Sequence, residues 1–195
     1  SCGNERLDDV VSLGLSPLAN NLLEDKNQDE ELYPLEMKRC PKCHNCQLSV
    51  VVPPEKMFDN YLYVSSTSPV FRKHFSDMAK ELADEFKLDD LSLVVDIGSN
   101  DGVFLKPLMD EGINVIGVDP AKNVCDIANK NLIHTLHGYF DDEMVDKIID
   151  DVTYADLVTG FNVFAHSDEL KNITDNAFRL LKDDGSFVIE VQYLL

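Results

Sequence analysis

No stretch of the chain approaches the roughly 20 consecutive apolar residues that a membrane-spanning helix needs, and no charged-then-apolar leader precedes a small-residue cleavage site. These absences predict a cytoplasmic protein with no membrane partner. Positive charge is scarce as well: 17 Lys and Arg stand against 36 Asp and Glu, for a formal net charge of -19. A field of that sign repels polyanions and argues against a nucleic-acid partner. The densest basic patch is "FRKHF", where Arg72, Lys73 and His74 are either a phosphate contact or a solvated helix face. Internal repeats and low-complexity tracts are also missing. Without a secretory leader, the five cysteines point to metal ahead of disulfides.

What is present is a 195-residue chain with 44% hydrophobic residues, enough to bury a core. Residues 1–58 lack a sustained helical period and carry Cys2, Cys40, Cys43 and Cys46, the pair Pro53 and Pro54, and the strand-like run "QLSVVV". This pattern predicts a small metal-stapled module. Residues 59–88 form a linker and a helix: Phe71, Phe75, Met78, Leu82 and Phe86 share one face, with Ser68 as N-cap and Pro69 at the first helical position. In residues 89–195, unbroken apolar runs ("LSLVVDIG", "NVIGVD", "LIHTLH", "ADLVTGF", "SFVIEVQYLL") alternate with helical stretches. Such runs suit a parallel sheet covered on both faces, so the expected fold is a doubly wound α/β domain. The last run ends at Leu195 and leaves its outer edge uncovered, which predicts a partner chain there or a longer protein.

"VVDIGSNDG" places Asp96 at a strand end, then Gly98 and Gly102 opening a helix. A dinucleotide loop reads G-x-G-x-x-G, whereas this one reads D-x-G-x-x-x-G and holds a further acid at Asp101. Acidic groups favour a neutral or cationic ligand over a diphosphate. The next strand ends in Asp119, 17 residues after Gly102, where a carboxylate can take both hydroxyls of a ribose. A nucleoside without phosphate but with a cation fits, and S-adenosylmethionine has that chemistry; its ammonium is a partner for Asp96. The plainer alternative is that Asp96 and Asp119 only end strands and cap helices.

Cys40 and Cys43 form a C-x-x-C knuckle of the kind that brings two thiolates to one tetrahedral zinc, and Cys2 followed by Gly3 has the form of half of another. Cys46 is a weaker candidate for a further thiol, iron–sulfur ligation lacks its fourth cysteine and following proline, and reduced thiols without metal remain open. Cys125 reads as core and His44 as an exposed part of the knuckle.

The strings "VVDIGSNDG", "GVDPA", "NVFAH" and "LLKDDGSFVIEVQYLL" together resemble class I methyltransferases, with a Rossmann-like doubly wound sheet. Taken with "LGLSPLANNLL", "YPLEMKRCPKCHNCQL" and "PPEKMFDNYLYVSSTSPVFRKHF", the whole chain is similar to the sugar C-methyltransferases of deoxysugar biosynthesis, in which a small zinc-binding module precedes the cofactor domain. The resemblance implies methylation at C3 of a nucleotide-linked 4-keto-6-deoxy sugar, with S-adenosylmethionine as donor and S-adenosylhomocysteine as product. It implies catalytic roles for His166, expected at the tip of the fourth strand, and Tyr63, which on a strand would share a face with Tyr61. Asn100, Pro120 and Asn162 join Asp96, Gly98, Gly102 and Asp119 in the expected cofactor set. Two C-x-x-C pairs hold a structural zinc in that family, so Cys2, Cys40 and Cys43 are the expected ligands and the fourth would precede Ser1.

There are departures from the family. It usually continues past "EVPYLL" into a second large domain with further catalytic groups, and Gln192 stands where it has proline. The expectation is a chain shortened before that domain. Three other readings stay open: a methyltransferase with a different small-molecule acceptor, a catalytically incomplete fragment that binds cofactor and zinc, and a nucleic-acid methyltransferase with a zinc ribbon. The charge disfavours the last.

Overall fold

The computed structural model describes residues 2–23, 25, 27–59 and 61–192. The chain divides into two units, Ser1–Leu62 and Tyr63–Leu195.

In the first unit, β1 (Asp8–Pro17) pairs antiparallel with β2 (Leu32–Arg39), which pairs antiparallel with β3 (Cys46–Leu48), and α1 (Pro54–Phe58) follows. The register of β1 against β2 slips between Ser12 and Leu15, where Gly14 takes φ +81°, the signature of a bulge. The strand expected through "QLSVVV" stops at Leu48, because the chain bends at Ser49 and Val50 on its way to Pro53 and Pro54. Among the described residues of this unit, Cys40 alone is buried. A unit of this size with so little buried apolar surface cannot be held by a hydrophobic core, which is the situation in which small domains use a metal or disulfides.

In the second unit, a 3₁₀ turn (Ser65–Thr67) leads into α2 (Pro69–Phe86). The Ser68 hydroxyl accepts from the Phe71 N–H, Pro69 occupies the first turn where a missing N–H costs nothing, and Lys87 in the left-handed region (φ 54°) ends the helix. Then come β4 (Leu93–Ile97), α3 (Leu105–Asp110), β5 (Asn114–Asp119), α4 (Lys122–Lys130), β6 (Thr135–His137), α5 (Asp142–Asp151), β7 (Ala155–Phe161), α6 (Leu170–Leu180) and β8 (Leu181–Glu190). The sheet order is β6-β5-β4-β7-β8, and every pair is parallel. The three central strands β4, β5 and β7 bury both faces, as their unbroken apolar runs require. Along β4 the pleat sends Val94 into a core with α2 and α3, and Leu93, Val95 and Ile97 into a core with α5 and α6.

The last strand differs from its expected span. It begins at Leu181 immediately after α6 and ends at Glu190; Val191 and Gln192 leave the ladder, and Tyr193 to Leu195 lie outside the described residues. The polar start of β8 is held because Lys182 pairs with Asp156 (2.8 Å), whose other oxygen accepts from the Leu93 N–H (2.8 Å). Among the described residues, β8 is an edge strand and no helix is long and apolar enough to cross a membrane.

Candidate cofactor and metal sites

Strand order reverses between β4 and β7, so their C-terminal ends open the crevice in which doubly wound sheets bind ligands. Asp96, Gly98, Asn100 and Gly102 follow or end β4, Asp119 and Pro120 end β5, and Asn162 follows β7. The expected cofactor residues are therefore carried by three neighbouring strand ends.

Asp96 is 4% exposed, and the Thr159 hydroxyl, opposite it in the ladder, donates to its Oδ1 at 2.7 Å. Burial pushes the Asp96 carboxyl up to about 7; the Thr159 bond opposes that rise, and the nearby Asp119 charge adds to it. Asp119 is also buried, and burial raises it, against two N–H groups that favour its charged form. Its Oδ2 accepts from the Asn100 N–H and its Oδ1 from the Ala121 N–H, both at 2.8 Å. Each oxygen keeps a further acceptor position, so the carboxylate organises the loop and still has capacity for a diol.

Gly98 has φ +65°, and a Cβ there would stand 2.4 Å from a methyl of Val163. Gly102, at φ +81°, lies against Ile133 rather than at the start of the helix, which opens three residues later at Leu105. The Asn100 side chain does not face open solvent: its Oδ1 accepts from the Ser65 N–H (2.9 Å) and its Nδ2 donates to the Tyr63 carbonyl (3.0 Å). Asp101 Oδ2 accepts from the Ser66 N–H (3.3 Å), whereas Asp101 Oδ1 and Ser99 Oγ are buried without a partner. Ser99 Oγ lies against Gly117 of β5, whereas Asp101 Oδ1 is an orphaned buried acceptor in the glycine loop, a place where a ligand's donors would compensate a desolvation cost. An ammonium and ribose hydroxyls are such donors, so the residues fit an adenosyl sulfonium cofactor.

Phe161, the last residue of β7, packs on Phe104 (ring centroids 4.6 Å apart) and Phe75 (5.6 Å). This aromatic cluster joins α2 to the residues just beyond the glycine loop. Tyr63 packs edge-on against Phe71 at 6.5 Å and is 38% exposed. Its segment is irregular and runs into a 3₁₀ turn, so the strand face it was expected to share with Tyr61 does not exist. His166 is exposed and sits in a 3₁₀ turn (Phe164–His166) beyond the end of β7, not at the strand tip itself. The basic patch is divided: Arg72 donates to the Ser66 carbonyl, Lys73 pairs with Asp77, and His74 meets Glu190 at 2.9 Å. No common anion cradle forms there. Asn162 (φ 59°) donates to Glu190 Oε1 (3.4 Å) and accepts from Gln192 (2.8 Å), and Pro120 offers its carbonyl to His137 (2.9 Å).

In the first unit, the sulfurs of Cys2, Cys40 and Cys43 lie within 4.8 Å of one another. Cys2 and Cys40 are 3.6 Å apart, far beyond a disulfide bond. Two thiolates on a tetrahedral ion at about 2.3 Å stand about 3.8 Å apart, so the spacing fits zinc. Cys40 directly follows β2 and its sulfur accepts from the Cys43 N–H at 3.5 Å; that donor, with the Lys42 N–H, draws the Cys40 thiol down to about 6 despite burial. Cys46 points instead to the His44 carbonyl (3.9 Å) and is outside the cluster. Cys125 is buried in α4 with its thiol pushed up to about 12 by burial, an inert core group.

Residues 70–194 match the family described as "Methyltransferase domain". The chain belongs to that methyltransferase family. Residues 1–58 match a second family, described as "Putative zinc binding domain". A curated relative, the C-methyltransferase NovU of Streptomyces niveus, is 35% identical over the whole of this chain and 47% of its own length. This chain thus spans about half of that relative. Among solved structures, the PH0226 protein of Pyrococcus horikoshii has a TM-score of 0.54 at 20% identity, over 68% of this chain and 59% of its own. A SAM-dependent methyltransferase of Archaeoglobus fulgidus has a TM-score of 0.52 at 24% identity, over 62% and 52%. These likenesses establish the Rossmann-like methyltransferase fold, and homology and fold support use of S-adenosylmethionine.

Sequence reasoning missed Thr159, whose only signal is a hydroxyl inside the apolar run "ADLVTGF". It also missed the bonds from Asn100 and Asp101 to residues 63–66, for which no local pattern exists.

Proposed function

We propose that the protein is a cytoplasmic S-adenosylmethionine-dependent C-methyltransferase acting at C3 of a nucleotide-linked 4-keto-6-deoxy sugar. The observation that carries this reading is one hydrogen-bond chain at the switch point, from the Asp119 carboxylate through Asn100 to the backbone of Tyr63 and Ser65. It joins a group suited to a ribose to the segment that bears an exposed phenol. The likeness to NovU, named a C-methyltransferase, supports the reaction type.

When bound, the cofactor supplies an electrophilic methyl group. In this reading Asp119 holds the ribose hydroxyls, and Asp96 and Asp101 present acceptor oxygens to the cationic tail. Gly98, Asn100, Gly102, Pro120 and Asn162 shape the backbone around it. Tyr63 donates to the oxygen of the sugar ketone as charge develops there, and His166 handles the proton leaving the neighbouring carbon. Zinc on Cys2, Cys40 and Cys43 is structural, supplying to residues 1–58 the stability that one buried residue does not. Residues 59–88 carry Tyr63 and α2, and residues 89–195 hold the cofactor.

A second reading is a cofactor- and zinc-binding half whose turnover needs further groups, favoured by the chain's coverage of 47% of NovU. The test is calorimetric titration with S-adenosylhomocysteine on a sample of measured metal content. One-to-one binding with one zinc per chain supports the first part of both readings. Turnover of a nucleotide-linked keto sugar by this chain alone then separates them, and failure of a folded, zinc-loaded sample to bind S-adenosylhomocysteine refutes both.

A further inference from the structure

The glycine loop spends side chains on a segment that lies 35 or more residues earlier in the sequence. Asn100 is 7% exposed, and all three of its polar donors and acceptors nearest the loop are engaged. Its N–H goes to Asp119 at 2.8 Å, its Oδ1 takes the Ser65 N–H at 2.9 Å, and its Nδ2 reaches the Tyr63 carbonyl at 3.0 Å. A carboxamide bonded to the carbonyl of one residue and the N–H of the next but one imitates the pairing of a neighbouring β-strand. Asp101 adds the Ser66 N–H at 3.3 Å, and Arg72 takes the Ser66 carbonyl. Four backbone groups of residues 63–66 are therefore satisfied by side chains, and only the single 3₁₀ turn Ser65–Thr67 adds backbone bonds of its own to this segment.

We propose that Asn100 is a positioning residue whose carboxamide clamps Tyr63–Ser66 onto the glycine loop, so that filling the cofactor site and seating Tyr63 are one coupled event. The clamp rests on the reading above in that it takes the loop as the cofactor site. Asn100 acts from both ends: its N–H reports on the carboxylate assigned to the ribose, and its side chain fixes the backbone from which the Tyr63 phenol projects. A cofactor that orders Asp119 and the loop lowers the cost of holding the segment closed, and a closed segment pre-organises the loop for the cofactor. Linkage requires the two effects to be equal.

That equality is the test. The variant Asn100→Gly keeps the left-handed backbone (φ 52°) and the N–H to Asp119 while removing the carboxamide. Amide exchange at Ser65 and Ser66 is measured by NMR in both proteins, with and without S-adenosylhomocysteine, and affinity is measured by calorimetry. Without ligand, exchange at Ser65 is expected to quicken roughly tenfold in the variant, the scale of one lost side-chain clamp. Saturating ligand is expected to slow Ser65 and Ser66 exchange in the unaltered chain by about the factor by which Asn100→Gly weakens binding. Asn100→Asp, which keeps an acceptor for Ser65 but loses the donor to Tyr63, is expected to restore part of the Ser65 protection and provides the same comparison should the glycine variant fold poorly.

Equal affinities in the two proteins overturn the coupling, as does ligand binding that leaves Ser65 and Ser66 exchange unchanged. A loss of affinity far beyond the exchange factor also overturns it, since Asn100 would then hold the ligand directly. If the unaltered chain binds no S-adenosylhomocysteine, the cofactor reading itself falls, a result separate from any of these.

Discussion

Replacing Asp96 by asparagine keeps the shape of the side chain and removes a buried charge. In the folded chain this carboxyl titrates at about 7, against roughly 3.9 in an unfolded chain. Between those values the folded state holds the proton and the unfolded state does not, so stability falls as pH rises through this window. The stability lost, relative to pH values below both, is on the order of 4 kcal/mol at pH 8, three pH units at about 1.4 kcal/mol each, and on the order of 1–2 kcal/mol at pH 5. The stability of Asp96→Asn relative to the unaltered protein should therefore improve by roughly 2–3 kcal/mol from pH 5 to pH 8. Taking the difference between the two proteins cancels the titrating groups that the substitution does not touch. Urea unfolding at several pH values measures it, followed by far-UV circular dichroism, because α2 to α6 all belong to the second unit. A difference that stays flat from pH 5 to pH 8 would refute the claim that burial of Asp96 outweighs the Thr159 hydrogen bond.

Gly98→Ala is expected to lose about 2–4 kcal/mol, part from an alanine at φ +65° and part from a Cβ driven to 2.4 Å from Val163. Adding Val163→Ala should return the steric part, and thermal melts of the single and double variants that do not differ would contradict this. Cys40→Ser should reduce bound zinc from one per chain toward none and raise amide exchange across β1–β3, whereas Cys46→Ser leaves zinc content unchanged; equal losses from both would remove the three-thiol assignment. Asp119→Ala should weaken S-adenosylhomocysteine by roughly 10- to 100-fold in calorimetry, and His166→Ala should leave that affinity within about twofold while lowering turnover in any form of the protein that has it. Equal losses of binding in the two variants would undo both roles.

Hydrophobic pattern carried the second unit a long way. "NVIGVD" and "ADLVTGF" are β5 and β7 to the residue, and the Phe71–Phe86 periodicity with Ser68 and Pro69 ahead of it is α2 with its cap. Their strands bury both faces and their helix buries one, so the local pattern and the tertiary environment agree. The start of β8 escaped because "LKDDG" reads as a turn: Leu181 pairs with Ala155, the register then slips, and pairing resumes only at Ser186, inside the expected run. The position of His166 escaped because the chain turns after β7 through Asn162 in the left-handed region, which no periodicity announces. In the first unit the thiol spacing was informative where hydrophobicity was not: the knuckle of Cys40 and Cys43 was legible as a motif, and the unit's lack of a core became visible only in three dimensions.

The missing glycine of the loop now has a physical account. In a G-x-G pattern beginning at Gly98, the second glycine would fall at position 100, where the chain has asparagine at φ 52°. Glycine adopts that backbone more cheaply, and asparagine is among the side-chain-bearing residues that tolerate it best. The carboxamide gained by the exchange holds Tyr63 and Ser65, and the residue keeps the one N–H that Asp119 requires. Asn162 repeats the arrangement at the end of β7: φ 59°, with its carboxamide bonded to Glu190 and Gln192. At both ends of the switch point, then, a position suited to glycine is filled by the residue that tolerates the same backbone and also ties the strand end to a more distant segment. Strain of this kind persists where surrounding contacts offset it, and here the offsetting contacts are the ones that carry Tyr63 to the loop and secure the end of β8.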